Sequence, residues 1–180
     1  MKRRDFLGRA SVGATVLGFP AIVRSQNAAP QVVSGVQAGD VSGGRAVIWS
    51  RCSQPGEMEV EWATNERFEN STIVGNAFSL KSTGLCAKAE LQGLPAGETV
   101  FYRVRFRDLA DSRLYGEPSG GRFKTPAADG RDVSFIWGAD TVGQGYGINS
   151  SMGGLKIYDS MARAESDLFI HVGDNVYSDQ

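Results

Sequence analysis

The segment Leu168-Phe-Ile-His-Val-Gly-Asp-Asn-Val-Tyr-Ser-Asp179 constrains this 180-residue chain more than any other. Its first five residues, Leu168 to Val172, are mostly apolar and long enough for a strand buried on both faces. Gly173 then breaks the strand, and Asp174 is delivered just past its carboxyl end. In parallel α/β sheets that edge is where ligands and catalytic groups gather, because helices cover both faces. Tyr177 and Asp179 follow within five residues of Asp174, so several oxygen donors leave one strand tip together.

The residues before it supply a partner for that strand. Val133-Ser-Phe-Ile-Trp137 reads as a strand, Gly138 to Asn149 as a glycine-rich loop, and Gly153 to Glu165 as a helix with Ser151 as its N-cap. Leu155, Ile157, Tyr158, Met161 and Ala162 recur at three- and four-residue steps, an apolar stripe with Lys156, Asp159 and Arg163 off it. Strand, helix, strand is a βαβ unit whose two strands run parallel. Asp140, three residues past Trp137, and Asp174, two past Val172, then leave the same sheet edge. Two carboxylates there can share one cation or bridge a pair, and carboxylate and phenolate are hard donors suited to ferric iron, calcium, magnesium or manganese. A metal pair can bind phosphate oxygens and stabilise an in-line displacement. The plainer alternative is that an Asp after a strand fixes a turn or caps a helix.

Residues 31–126 have a different rhythm, short strands separated by Gly, Pro, Asn and Asp, which is the pattern of a β-sandwich. Ala46 to Ser50 is one strand. In Met58-Glu-Val-Glu-Trp62 the apolar Met58, Val60 and Trp62 share a buried face. The clearest alternation puts Val100, Tyr102, Val104 and Phe106 in the core, with Phe101, Arg103, Arg105 and Arg107 on the opposite face. The arginine row reads as a solvated strand face or, less simply, as a comb for phosphate. Ala127-Ala-Asp-Gly130 is a short linker between the two regions.

Ahead of the sandwich, residues 1–29 form an export signal: a basic start, Met1 to Arg9, then the mildly apolar run Ala10 to Val23. That run is too short and too weakly apolar for a permanent membrane anchor. Arg3-Arg4-Asp5-Phe6-Leu7 resembles the twin-arginine (Tat) consensus, which implies the Tat export machinery as a partner and a periplasmic or secreted destination; the plainer alternative is a Sec signal whose basic region contains Arg-Arg. Residues 1–24 hold five basic and one acidic side chain, so without them 14 basic face 19 acidic residues, a net charge of −5. That balance offers no basic patch for nucleic acid.

Gly138-Ala-Asp-Thr-Val-Gly-Gln-Gly-Tyr-Gly-Ile-Asn149, Gly153-Gly-Leu-Lys-Ile-Tyr158 and Gly173-Asp-Asn-Val-Tyr177 together resemble the start of the catalytic domain of PhoD-type alkaline phosphatases. The preceding strands, closing with Gly121-Arg-Phe-Lys-Thr-Pro126, resemble the fibronectin type III-like N-terminal domain of the same family. The expected fold is therefore an all-β sandwich of fibronectin type III type, followed over 131–180 by the first βαβ unit of an α/β metallophosphatase domain. The resemblance implies an exported phosphatase acting on small phosphomonoesters or phosphodiesters, of which this chain is an N-terminal fragment. It implies a first-metal ligand at Asp140, a bridging ligand at Asp174 and an iron-binding phenolate at Tyr177. The implied cofactor is a dinuclear or multinuclear centre of iron and calcium, with manganese, magnesium or zinc as alternatives. Two or three ligands from one sheet edge leave the rest of such a centre uncovered, so this chain alone is expected to be inactive, and no general acid, base or nucleophile is assigned in it.

The sequence also departs from the wider metallophosphatase pattern. Val142 stands where Asp-x-His would place a histidine, and Ala139 where some relatives carry a cysteine ligand. Purple acid phosphatases share Gly-Asp-x-x-Tyr but want glycine at position 142, and a non-catalytic sandwich module would need no strand-tip carboxylates. The single histidine, His171, lies inside the apolar strand and reads as a packed, hydrogen-bonded residue rather than a ligand. Gly143-x-Gly145-x-Gly147 has neither the spacing nor the tight turn of a dinucleotide site. In a fibronectin-like sandwich Cys52 and Cys86 fall on the second and fifth strands, antiparallel neighbours. They are candidates for a disulfide in an oxidising compartment, or for two free thiols on different faces.

Overall fold

Among the described residues, seven strands occupy residues 32–124: β1 (Val32–Ser42), β2 (Arg45–Cys52), β3 (Gly56–Ala63), β4 (Thr72–Ser79), β5 (Cys86–Leu91), β6 (Thr99–Asp108) and β7 (Ser119–Lys124). They form a three-stranded sheet, β1-β2-β5, and a four-stranded sheet, β4-β3-β6-β7. Every pairing within these two sheets is antiparallel. Three strands over four, with β2 leading to β3 in the other sheet, is a β-sandwich of fibronectin type III-like topology. The structure is a computed structural model and describes residues 28–143, 149–175 and 177. The expected export signal falls on residues 1–29, of which 1–27 lie outside the described residues, as do residues 144–148 of the glycine-rich loop.

Period-two alternation puts the expected side chains inside. Val100, Val104 and Phe106 of β6 meet Met58 and Val60 of β3, with Ile48 of β2 and Leu91 of β5 from the facing sheet. Tyr102 joins them, and sealing its ring from water pushes its phenol up to about 12. Trp62 is half-buried rather than enclosed, and its indole Nε1 is sealed from solvent without a hydrogen-bond partner.

The arginine row on β6 is matched residue for residue. The register sets Glu61 opposite Arg103, Glu59 opposite Arg105 and Glu57 opposite Arg107, and each pair closes an ion pair. Arg103 also stacks 4.4 Å over Phe68, and Arg105 4.2 Å over Tyr115. These guanidinium groups are occupied by β3 carboxylates, which explains the row without a phosphate.

The cysteines are free. Arg51, not Cys52, faces Cys86 across the β2–β5 pair. A one-residue offset reverses the face, so Cys52 points into the core while Cys86 shares the outer face with Arg51. The candidate disulfide is corrected to two thiols on opposite sides of one sheet.

Beyond the linker the chain forms β8 (Phe135–Gly138), α1 (Lys156–Arg163) and β9 (Leu168–His171). The two strands are adjacent and parallel, with Ile136 opposite Phe169 and Gly138 opposite His171. The helix is shorter than its apolar stripe suggested. Gly153 and Gly154, at φ +89° and +63°, take left-handed conformations that interrupt a right-handed helix. Ser151 is therefore no cap for α1. It sits in a separate 3₁₀ turn capped by Asn149, whose Oδ1 accepts from Ser151 N–H at 3.0 Å.

α1 covers one face of this small sheet: Tyr158 packs edge-on to Phe169 with ring centroids 6.0 Å apart, and Met161 lies over Gly138. The other face, with Phe135, Trp137, Leu168 and Ile170, is open, and Trp137 is 66% exposed and Ile170 40%. The expected burial of β9 on both faces is thus corrected: Leu168, Phe169 and Ile170 are each about 40% exposed, and the packing of α1 on Phe169 is partial.

Candidate metal-binding strand tips

The tips of β8 and β9 are joined by main-chain hydrogen bonds that continue past the strands. Val172 N–H donates to Gly138 O at 2.9 Å, and Thr141 N–H donates to Asp174 O at 2.8 Å. Between them the Asp174 N–H donates to the Asp140 carboxylate, Oδ1, at 2.9 Å. Asp140 and Asp174, 34 residues apart, are therefore brought together at one sheet edge. Asp140 achieves this with φ +50°, in the left-handed region. That conformation costs a typical L-residue ~1–2 kcal/mol, and Asp tolerates it better than most.

Gly173 is required by the same close approach. A Cβ there would collide with Asp140 Oδ1 and stand 2.7 Å from the Asp140 backbone nitrogen. The glycine of Gly-Asp-x-x-Tyr thus has a steric reason independent of turn geometry.

Tyr177 is near enough to both carboxylates to feel their charge. Its phenol is pushed above the ordinary tyrosine value, first by loss of solvation and then by the negative charges of Asp140 and Asp174. A cation among these oxygens would reverse the sign of that field and favour the phenolate.

One residue that sequence reasoning left out, Thr141, supports the tips. Thr141 Oγ1 lies 2.6 Å from the Tyr158 hydroxyl and 3.0 Å from His171 Nε2. Gly173 N–H points at His171 Nδ1 at 3.4 Å, which leaves Nε2 as the protonated nitrogen and the donor to Thr141. Loop, helix and strand are pinned at one hydroxyl, directly beside Asp140. The signal was present in part: Tyr158 lies on the apolar stripe of α1, and a tyrosine on a packed face usually finds a partner for its hydroxyl. Nothing in the sequence pointed to Thr141 as that partner. His171 is held within this network, as a hydrogen-bonded strand residue would be.

The donor set is chemically coherent for a hard cation: two carboxylates and a phenol, without thiolate or a histidine aimed at them. Among the described residues no three or more His, Cys, Asp or Glu side chains gather as a metal cage. Asp140, Asp174 and Tyr177 are thus a partial set. Their fit rests on the type of oxygen and on the close approach that Gly173 permits.

Fold and strand tips together define a β-sandwich of fibronectin type III-like topology followed by a short strand–helix–strand unit, with Asp140 and Asp174 at its parallel edge. Residues 19–127 match the family described as PhoD-like phosphatase, N-terminal domain, and the chain belongs to that family. The solved structure of PhoD aligns with a TM-score of 0.62 at 23% identity, covering 79% of this chain and 27% of PhoD. A fibronectin type III domain from a human protein aligns with a TM-score of 0.41 at 14% identity, over 57% of this chain and 77% of that domain. No curated protein matches the chain significantly.

Proposed function

We propose that the protein is an exported, metal-dependent phosphoric ester hydrolase, to which this chain supplies the N-terminal sandwich and the first ligand-bearing strand tips of the catalytic domain. The observation that carries this reading is the meeting of Asp140 and Asp174 through the 2.9 Å hydrogen bond, in a chain of the PhoD-like phosphatase family. The PhoD alignment supports it further, since 79% of the chain is more than the sandwich alone occupies. The substrates in view are small phosphomonoesters or phosphodiesters.

Asp140, Asp174 and Tyr177 would hold the metal, with iron and calcium as the leading pair. When bound, such a cation supplies Lewis acidity toward phosphoryl oxygens. The chain's own residues do the positioning. Asp140 Oδ1 orders the Asp174 backbone, Gly173 allows the two loops to touch, and Thr141 ties the tip of β8 to α1 and β9. Export is supported by the basic start and the apolar run of residues 1–29. No helix among the described residues is long and apolar enough to cross a membrane.

The test is metal content together with hydrolysis of a chromogenic phosphate ester by the protein containing this chain, in iron plus calcium. Asp174→Ala is expected to lose bound metal and activity more severely than Asp140→Ala, since a bridging carboxylate serves two cations. Wild-type metal content and rate in Asp174→Ala would overturn the assignment.

A further inference from the structure

The geometry points to a clasp at Asp167 through which the sandwich sets the position of β9, and with it the strand tip bearing Asp174. Asp167 stands just before β9, and its side chain is only 11% exposed although it lies outside the hydrophobic core. Oδ1 accepts from Lys124 Nζ on β7 at 3.3 Å and from Arg131 Nη2 in the linker region at 3.1 Å. Oδ2 accepts from both the backbone N–H and the hydroxyl of Ser134, each at 3.0 Å. The Asp167 N–H in turn donates to Ser134 O at 3.0 Å. One carboxylate therefore ties together the last strand of the sandwich, the connecting segment and the approaches to β8 and β9.

Lys124 is itself 55% exposed, so what sets this contact apart is the sheltered carboxylate it meets. A cleft of about 840 Å³ separates β1 and β7 from α1, lined by Val36, Phe101 and Phe123 on one side and by Tyr158, Met161 and Phe169 on the other. With no continuous packing across that cleft, relative motion of the two regions is the default. The polar rim opposes it. The second contact across the rim, Arg122 to Glu165 at 3.4 Å, joins two exposed side chains and contributes little. Asp167 differs by being sheltered and by having both oxygens doubly engaged, which an asparagine cannot reproduce because its amide nitrogen would face donors. Its carboxyl is held well below the ordinary aspartate range, first by Arg131, then by the Ser134 backbone and hydroxyl, with Lys124 adding to them.

Only the link to Asp174 rests on the proposed phosphatase reading; the clasp itself does not. The experiment is hydrogen exchange by mass spectrometry on the intact protein, without added metal or substrate, combined with the rate of tryptic cleavage after Arg131. In Lys124→Ala, peptides covering 168–172 should exchange roughly tenfold faster and cleavage should accelerate, while the sandwich keeps its thermal midpoint. Lys124→Arg should restore protection, and Asp167→Asn should show the same loss as Lys124→Ala. Unchanged exchange in β9 with a lowered sandwich midpoint would overturn the clasp, because Lys124 would then serve β7 alone. So would a loss confined to Asp167→Asn, which would make Asp167 a local tie to Ser134. Failure of the phosphatase assay would leave these readouts untouched.

Discussion

The sandwich and the strand–helix–strand unit use the same kinds of side chain and bury them to very different degrees. Phe106 and Ile48 of the sandwich are wholly inaccessible, whereas Phe135, Trp137 and Ile170 of β8 and β9 remain widely exposed. The difference is architectural. Two sheets face each other in the sandwich, so each inward residue has a partner layer. The β8–β9 sheet has one short helix, α1, on one face. Hydrophobicity decides which residues seek cover, and the number of layers decides whether they find it. In this chain the proposed ligands stand on the less covered region, and polar ties such as Thr141–His171 and Asp167–Lys124 hold it in place of a two-sided core.

The largest contrast should come from paired aromatic truncations. Phe106→Ala is expected to destabilise the sandwich by about 3–5 kcal/mol, while Phe169→Ala should leave the sandwich transition in place and weaken only the second unit, by about 1 kcal/mol. Denaturant unfolding followed by region-resolved hydrogen exchange checks both; a comparable loss of the main transition in each variant would erase the comparison.

Gly173→Ala comes next. Its methyl group must displace the Asp140 loop, at a local cost of roughly 1–3 kcal/mol. The expected result is perturbed backbone resonances at 138–141 and 172–175 with an unaltered sandwich spectrum. Unshifted resonances around Asp140 would mean that the approach of the two loops is looser than described.

A smaller effect should attend the glutamate–arginine ladder. Arg105 is 43% exposed and pairs with Glu59, so Arg105→Ala should cost about 0.2–1 kcal/mol, measurable as a small shift in the denaturation midpoint. Glu57 is lowered chiefly by its hydrogen bond to Arg107, and Glu61 chiefly by its hydrogen bond to Ser71 and then by Arg103. Carboxyls lowered on folding stabilise the fold above their unfolded value, near pH ~4, and lose that contribution as pH falls below it. Thermal melts should therefore be flat toward neutral pH and decline below about pH 4, and Glu57→Gln should flatten part of the decline.

The smallest effect concerns the thiols. Cys86 should alkylate in the native protein and Cys52 only after unfolding, with no reductant needed for either. A requirement for reduction would show that the two are bridged and that the β2–β5 register differs from the one described.

The sequence by itself determined what is periodic. Val100, Tyr102, Val104 and Phe106 repeat every second residue, and a pleated strand can hide only one such set. The parallel pairing of β8 with β9 followed from strand, helix and strand in succession. The meeting of Asp140 with Asp174 followed from parallel strands ending at one edge. Tertiary structure decided what depends on register and on neighbours far along the chain. Cys52 and Cys86 were correctly placed on adjacent strands, yet a single-residue offset separates their faces, and no local pattern encodes that offset. Thr141 and Asp167 look like ordinary polar residues beside strands. Their roles exist only because Tyr158 and His171 converge on one hydroxyl, and Lys124, Arg131 and Ser134 on one carboxylate. Periodicity is a property of consecutive residues, whereas a hydrogen-bonded convergence is a property of the folded arrangement.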